Sequence, residues 1–437
     1  MNQFEPKFTL IDTVSNQSVV LEQKQINIYL CGPTVYNDLH LGNTRPLIVF
    51  DVLQRVLQAA QYKVQFVQNI TDIDDKIIKI AQQQEISEAQ LCKQQITAYK
   101  SLLKKLNILP IKHLQVTDKI DKMPGYIARL VQMGFAYVSP LGNTYFSVSQ
   151  LPQYGILANR VVETIEDEAT DKRNKLDFVL WKQTTAGVKW NSPWGWGRPG
   201  WHVECAFLID YSFKDQLTIH GGGVDLKFPH HENENAMHMA LYDKPLTQHW
   251  MHIGHLMFEN QKMSKSLQNF LLAVDFLTIH DFRILRWLFY QKHYYHPLDL
   301  SQSLIEQACS DIKRIQKAVN VCRTWFVYSE QSAIPAPKQF EPVFKALLNN
   351  LNFANAITHI WKLVKQINHD VSKQNLSGLK EHLSHLEWAL NILGIGFKSI
   401  HTKLNVQLIK KWASLRKNGQ LDKADEVRQK LIKKGLL

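Results

Sequence analysis

A strand–turn–helix unit near the start of the chain constrains its fold more than any other feature. Residues 26–30 (Ile-Asn-Ile-Tyr-Leu) make a short apolar strand, Gly32-Pro33 turns it, and His40-Leu41-Gly42-Asn43 leads into a helix predicted over Thr44–Ala60. Such units belong to α/β folds, in which helices cover a parallel sheet. A helix N-terminus presents free N–H groups and the positive end of the helix dipole, so this unit also attracts phosphate. His40 can donate to a phosphate oxygen and Asn43 adds an amide. Far downstream, residues 262–266 read Lys-Met-Ser-Lys-Ser. Alone, that pentapeptide would be an ordinary solvated basic loop. Coupled to the upstream unit, Lys262 and Lys265 read as a polyphosphate clamp, because lysine is a compact charge on a long stem.

A second histidine pair, His252-Ile253-Gly254-His255, falls in a predicted strand over Gln248–Phe258. It does not open a helix, so it is assigned to strand residues that line the site, and the phosphate role goes to His40 and Asn43.

The chain has 437 residues, 45% of them apolar and 21% charged, enough for a sizeable core and two or three modules. No apolar run is long enough to span a bilayer and no charged-then-apolar leader opens the sequence, so a cytoplasmic protein without membrane contact is expected. Net charge is +12, and residues 401–437 hold 10 basic against 3 acidic side chains. Beside a nucleotide site, such a basic tail suits an RNA-facing surface.

Five cysteines, at 31, 92, 205, 309 and 322, argue against a disulfide framework. Cys92, Cys309 and Cys322 fall in helical patterns and are expected in the core. Cys31 ends the first strand, and Cys205 follows Gly200-Trp201-His202-Val203-Glu204. Residues 219–234 read as a strand, a loop of three glycines and a helix opened by Pro229. Gly222 and Gly223 let backbone approach a ribose or planar ligand, and Asp225 can accept its hydrogen bonds. His230 and Glu234 are four apart on one helical face. Taken alone, that pair is more often a surface contact. With thiolates from Cys31 and Cys205 it completes a set of zinc ligands.

These elements resemble the HIGH and KMSKS signatures of class I aminoacyl-tRNA synthetases. The chain as a whole resembles the bacterial-type cysteinyl-tRNA synthetases, through Leu30–Asp51, Asn69–Ile77, Lys172–Lys182, Pro193–Cys205, Ile219–Glu234, Lys262–Phe270 and His293–Ser301. The resemblance implies ATP-dependent ligation of L-cysteine to tRNA(Cys) through a cysteinyl-adenylate. It implies one zinc per chain on Cys31, Cys205, His230 and Glu234, Mg2+ with ATP, and a monomer. Thr71, Trp201 and Cys31 would contact the amino acid. His40, Gly42, Asn43, Gly222, Gly223, Asp225 and Lys265 would bind ATP, with His40, Asn43, Lys262 and Lys265 acting in catalysis. A zinc that takes the substrate thiolate explains how cysteine is separated from serine, since a hydrogen-bonding pocket distinguishes such a pair poorly.

The implied architecture is a Rossmann-like parallel-sheet catalytic domain with a connective insertion and an α-helical C-terminal region. Its expected parts are 1–110 and 197–261 for the two catalytic halves and 111–196 for the insertion. Residues 262–325 would carry the KMSKS loop and a helical linker, 326–390 a helical bundle, and 391–437 a basic tRNA-binding tail. Two departures from the resemblance stand out. Gln268 replaces a usual glycine after KMSKS, and the usual Gly-Thr-x-Trp-Arg end is missing, so anticodon reading is expected either to rest on the basic helices or to be relaxed. A cysteine ligase acting on an amino-sugar would lack that basic module. A non-catalytic RNA-binding relative would have lost phosphate or metal residues, and none is lost here.

Overall fold

The computed structural model describes residues 6–158, 171–214, 216–258, 261–262, 271–329 and 335–437, with 261 and 262 by backbone alone. An N-terminal hairpin, β1 (Thr9–Ile11) and β2 (Ser18–Val20), precedes β3 (Gln25–Leu30), whose residues are buried from Ile26 onward. Helix α1 (Leu41–Ala59) follows, then β4 (Lys63–Ile70). The helix starts three residues before the position read from the sequence, because His40 adopts the extended N-cap conformation. After β4 come two helices, α2 (Asp75–Gln83) and α3 (Glu88–Lys105). Asp74 caps one and Ser87 the other, and Glu85 at φ 56° turns the chain between them.

β5 (Lys112–Gln115) pairs in parallel with β4, so the main sheet reaches past residue 110. The insertion then builds α4 (Met123–Gln132) and an antiparallel sheet of β6 (Ala136–Val138), β7 (Thr144–Phe146), β8 (Phe178–Gln183) and β9 (Gly197–Pro199). Trp181 is fully buried there beside Trp194, whereas Trp196 is exposed. Asp75 on α2 pairs with Arg198 on β9 and lies 3.1 Å from Lys182 on β8, which joins the insertion to the catalytic sheet.

α5 (Trp201–Phe213), β10 (Ile219–Gly223), α6 (Glu232–Tyr242) and β11 (His249–Ile253) complete the catalytic half. The main sheet is parallel throughout, in the order β11-β10-β3-β4-β5. Strand order reverses between β3 and β10, and ligands of open α/β sheets bind outside the carboxyl ends at such a switch point. The strand expected over Gln248–Phe258 is broken at Gly254-His255. Beyond the break, β12 (Leu256–Phe258) joins a separate small sheet with β13 (Gln261–Lys262) and β14 (Leu298–Leu300).

Between β13 and β14 lie α7 (Ala273–Ile279) and α8 (Phe282–Tyr290), and after β14 runs the 27-residue α9 (Gln302–Tyr328). α10 (Glu341–Leu348), α11 (Phe353–Lys373) and α12 (Leu376–Ile392) pack on it through Phe344, Ile360, Leu363, Leu383 and Leu386. α13 (Lys403–Lys417) and α14 (Leu421–Lys433) form a hairpin with its own small core of Ile409, Trp412, Val427 and Leu431. Leu404, in the first turn of α13, is exposed. No helix among the described residues is long and apolar enough to cross a membrane.

A buried ionic hub joins these layers. Asp51 of α1 and Arg286 of α8 are both wholly buried and paired. Arg286 also donates to the carbonyls of Leu106 after α3 (3.0 Å) and Leu393 after α12 (3.1 Å). Asp51 further accepts from Arg55 Nε at 2.8 Å and from the Leu109 N–H at 2.7 Å.

Candidate active site

The switch point gathers four side chains from three separate stretches of chain. Cys31 follows β3, Cys205 lies on α5, Glu234 on α6, and His230 in the irregular turn that leads into α6. One ligand atom from each lies within 4.8 Å of all the others. The two sulfurs are 3.9 Å apart, Cys31 Sγ is 3.6 Å from Glu234 Oε1, and His230 Nε2 is 2.7 Å from the same oxygen. Ligand bonds of about 2.0–2.3 Å in a tetrahedron put donor atoms about 3.3–3.8 Å apart, so the two spacings from Cys31 Sγ suit a zinc ion, whereas His230 and Glu234 sit at hydrogen-bond distance and would part by about 0.6 Å or more to share one. The two cysteines are free thiols.

The electrostatics suit a cation. Burial alone would raise Glu234, yet His230 and His220 hold it well below the usual carboxylate range. Burial would lower His230, but Glu234 and Cys205 raise it to about 10. Against the same burial, hydrogen bonding to Cys31 and His230 brings the Cys205 thiol down to about 6, while burial and Cys205 push Cys31 well up. Cys205 and Glu234 therefore carry negative charge that the His230 imidazolium balances, and a metal ion would take the place of its proton.

Behind the four stands a layer of imidazoles, His220, His231 and His252, of which the sequence predicts only His252 to line the site. His220 Nε2 lies 2.5 Å from Glu234 Oε2 and its Nδ1 faces the Tyr29 carbonyl at 3.2 Å. His231 Nε2 is 3.4 Å from Cys31 Sγ, and its Nδ1 meets His252 Nε2 at 3.0 Å. Cys31, His220, His231 and Glu234 therefore make a second candidate ligand set that shares two members with the first. The strand register carried the signal: His220 pairs with Trp250 and Gly222 with His252 across β10 and β11. His255 stands apart at the break after β11.

Thr71, directly after β4, is buried beside this cluster. Its hydroxyl donates to Glu204 Oε2 at 2.9 Å and accepts from Asn69 Nδ2 at 3.0 Å. Asn69 Oδ1 in turn accepts from the Gly32 N–H at 2.7 Å. A Cβ at Gly32 would lie 1.8 Å from the Asn69 carbonyl oxygen, so only glycine lets β3 exit this close to β4. Asn69 and Glu204 had no role in the sequence reading. Burial, and then Cys205, hold the Glu204 carboxyl well above its usual range. Trp201, the first residue of α5, is 41% exposed, and its ring stacks on His230 at 4.1 Å and 24°. It forms an apolar, solvent-facing wall over the ligand cluster.

Of the residues expected to bind phosphate, His40 is the N-cap of α1 and Asn43 sits in the first turn. That turn has no acidic residue to oppose an anion, although its Leu41 and Asn43 N–H groups already donate to the Leu271 and His40 carbonyls. Gly42 is half-buried, and a Cβ there would meet the His40 ring at 2.9 Å. The glycines expected in a loop, Gly221 to Gly223, are strand residues of β10, because Gly221 packs against Phe50 and admits no side chain. Gly223 ends the strand at the cleft, and Asp225 is exposed in the following turn. Lys262 pairs through its backbone with Met257. Its side chain, Lys265 and Gln268 lie outside the described residues.

Residues 17–310 match the family of class I (C) tRNA synthetase catalytic domains, and residues 343–398 match the DALR domain family. The chain is 72% identical to a cysteine–tRNA ligase of Mycoplasma genitalium over 98% of this chain and 100% of that one. It is 41% identical to a cysteine–tRNA ligase of Mycoplasmoides gallisepticum (98% and 100% covered) and 35% identical to one of Bacillus cytotoxicus (96% and 94%). Among solved structures, Mycobacterium tuberculosis methionyl-tRNA synthetase with methionyl-adenylate aligns with a TM-score of 0.62 at 14% identity, covering 90% of this chain and 91% of that one. An Agrobacterium radiobacter LeuRS in complex with tRNA aligns at 0.60 and 10% identity, with 88% of each chain covered. These distant likenesses establish the fold alone.

Proposed function

The chain belongs to the cysteine–tRNA ligases of the class I aminoacyl-tRNA synthetases, and from that membership we propose how its own site ligates L-cysteine to tRNA(Cys). The observation that carries the reading is the four-ligand cluster at the switch point, one member of which directly follows the strand that leads into α1. Zinc held by Cys31, Cys205, His230 and Glu234 would bind the substrate sulfur as a thiolate, a soft ligand that serine cannot offer.

Two transfers follow. The cysteine carboxylate attacks the α-phosphorus of ATP, the bond to the bridging oxygen breaks, and pyrophosphate leaves. A terminal ribose hydroxyl of tRNA then attacks the cysteinyl carbonyl, and AMP leaves. The enzyme forms no covalent bond with either substrate. Its residues position groups and stabilise charge. His40, Gly42 and Asn43 hold the phosphates at the start of α1, Lys262 and Lys265 offset their charge, and Mg2+ accompanies ATP. Gly222 and Gly223 let the nucleoside lie against backbone, and Asp225 accepts from its ribose. Trp201 and Thr71 bound the amino acid, with the Thr71 oxygen oriented by Asn69 and Glu204.

Cysteine-dependent ATP–pyrophosphate exchange, followed by charging of bulk tRNA, tests the reading. Exchange should require cysteine and disappear when a chelator removes the metal. Exchange that persists in metal-free protein, or that serine supports equally, would refute zinc-based selection.

A further inference from the structure

Arg45 lies five residues after His40 on α1 and is wholly buried. Its partners among the described residues are backbone carbonyls. Nη1 donates to Gly254 at 2.7 Å and His255 at 3.2 Å, and Nη2 to His293 at 3.3 Å, while Nε has no partner. Burying a cation without a carboxylate is costly, so a guanidinium here calls for a reason beyond filling space.

The three carbonyls supply it. Gly254 and His255 are the break at which the chain leaves the main sheet after β11 and enters the small sheet at β12. His293 belongs to the turn on which that crossing rests. Gly254 N–H donates to the Tyr294 carbonyl at 2.8 Å, and Leu298 N–H to the His255 carbonyl at 2.9 Å. A Cβ at Gly254 would come within 2.6 Å of the Tyr295 and His296 backbone, so the two stretches are pressed together. The planar fork of Arg45 reaches both. β12 carries the placement onward, because Met257 pairs with Lys262 of β13.

A different stretch grips the same end of α1. Leu41 N–H donates to the Leu271 carbonyl and Ala273 N–H to the Leu39 carbonyl, each at 2.9 Å, around a bridge between His40 and Leu272. The start of α1 is thus held by its backbone on one side and by one side chain on the other.

We infer that Arg45 is a positioning residue for amino acid activation, fixing His40 and Asn43 relative to the β11–β12 crossing. Its partners among the described residues are carbonyls of Gly254, His255 and His293, none of them a candidate metal ligand. A lysine could satisfy only part of this carbonyl set, because it presents one compact charge instead of a fork. The inference rests on the adenylate-forming reading above.

Exchange kinetics of the parent, Arg45→Lys and Arg45→Met, normalised to zinc-containing sites, test it. Zinc should stay at one per chain and the KM for cysteine within about twofold of the parent, while kcat falls roughly tenfold or more, as small misplacements of reacting groups do. Arg45→Lys should fall between the parent and Arg45→Met. Unchanged kcat in both variants would overturn the inference. So would loss of zinc, cysteine binding and kcat in parallel, which marks a general structural role. A parent without cysteine-dependent exchange would instead refute the functional reading.

Discussion

Replacing Asp51 by alanine should cost this protein a large part of its stability. The carboxylate is wholly buried and serves Arg286, Arg55 and the Leu109 N–H. Removing one member of a buried ion pair strands the other charge, at about 3–5 kcal/mol. The orphaned Leu109 N–H adds about 1–3 kcal/mol, and because the sites are coupled the sum falls short of additive, near 4–6 kcal/mol. Against a usual total of about 5–15 kcal/mol, that loss should move the urea midpoint strongly. Arg286 also ties the ends of α3 and α12, so tryptophan fluorescence and circular dichroism should register loosening of catalytic and helical layers together. Asp51→Asn should cost less, since it keeps an acceptor for Leu109. The double change Asp51→Leu with Arg286→Met should recover stability relative to Asp51→Ala, because it removes the wholly buried stranded charge, Arg286, while Arg55 is partly exposed. A cost below about 1 kcal/mol for Asp51→Ala would refute the reasoning, since it would mean that Arg286 needs no partner.

Trp201→Ala removes the ring stacked on His230, worth about 0.5–1.5 kcal/mol, so the KM for cysteine should rise about 2–10-fold with zinc content unchanged. Lys410→Glu with Lys411→Glu reverses two exposed charges on α13, and should weaken tRNA charging and its salt dependence while exchange is untouched. Burial, helped by Lys100 and Arg323 respectively, holds His113 and His401 at about 4 in the folded chain. Free histidine titrates near ~6.5, so the unfolded chain gains protons first as pH falls. Stability present above ~6.5 should therefore be lost toward pH 4, and His401→Gln should flatten that slope in urea midpoints. A midpoint constant across this window would contradict the assignment.

What the sequence made legible was local. The apolar run before Gly32, the histidine step into α1 and the spacing of His230 and Glu234 each state a chemistry within a few residues. Cys31 and Cys205 were readable as partners because both border elements that end at a cleft. Features set by tertiary pairing were not readable. Gly221 to Gly223 read as a loop because glycine is common in loops, yet the closeness of Phe50 excludes a side chain from that strand. The run from Gln248 to Phe258 reads as one strand because its pattern is continuous, but the chain leaves the sheet at Gly254, where Arg45 grips its carbonyl. The expected boundary at residue 390 falls inside α12, whose end is fixed by hydrogen bonds to Arg286 from a distant helix. His220 and His231 acquire partners only when β10 and β11 lie side by side.

Zinc-edge X-ray absorption, recorded with and without L-cysteine, tests the central claim most directly. The protein alone should show two sulfur ligands from Cys31 and Cys205 with one nitrogen and one oxygen. Adding cysteine should bring a third sulfur at about 2.3 Å, and serine should leave the spectrum unchanged. A coordination sphere that cysteine does not alter would contradict selection through a metal–thiolate bond.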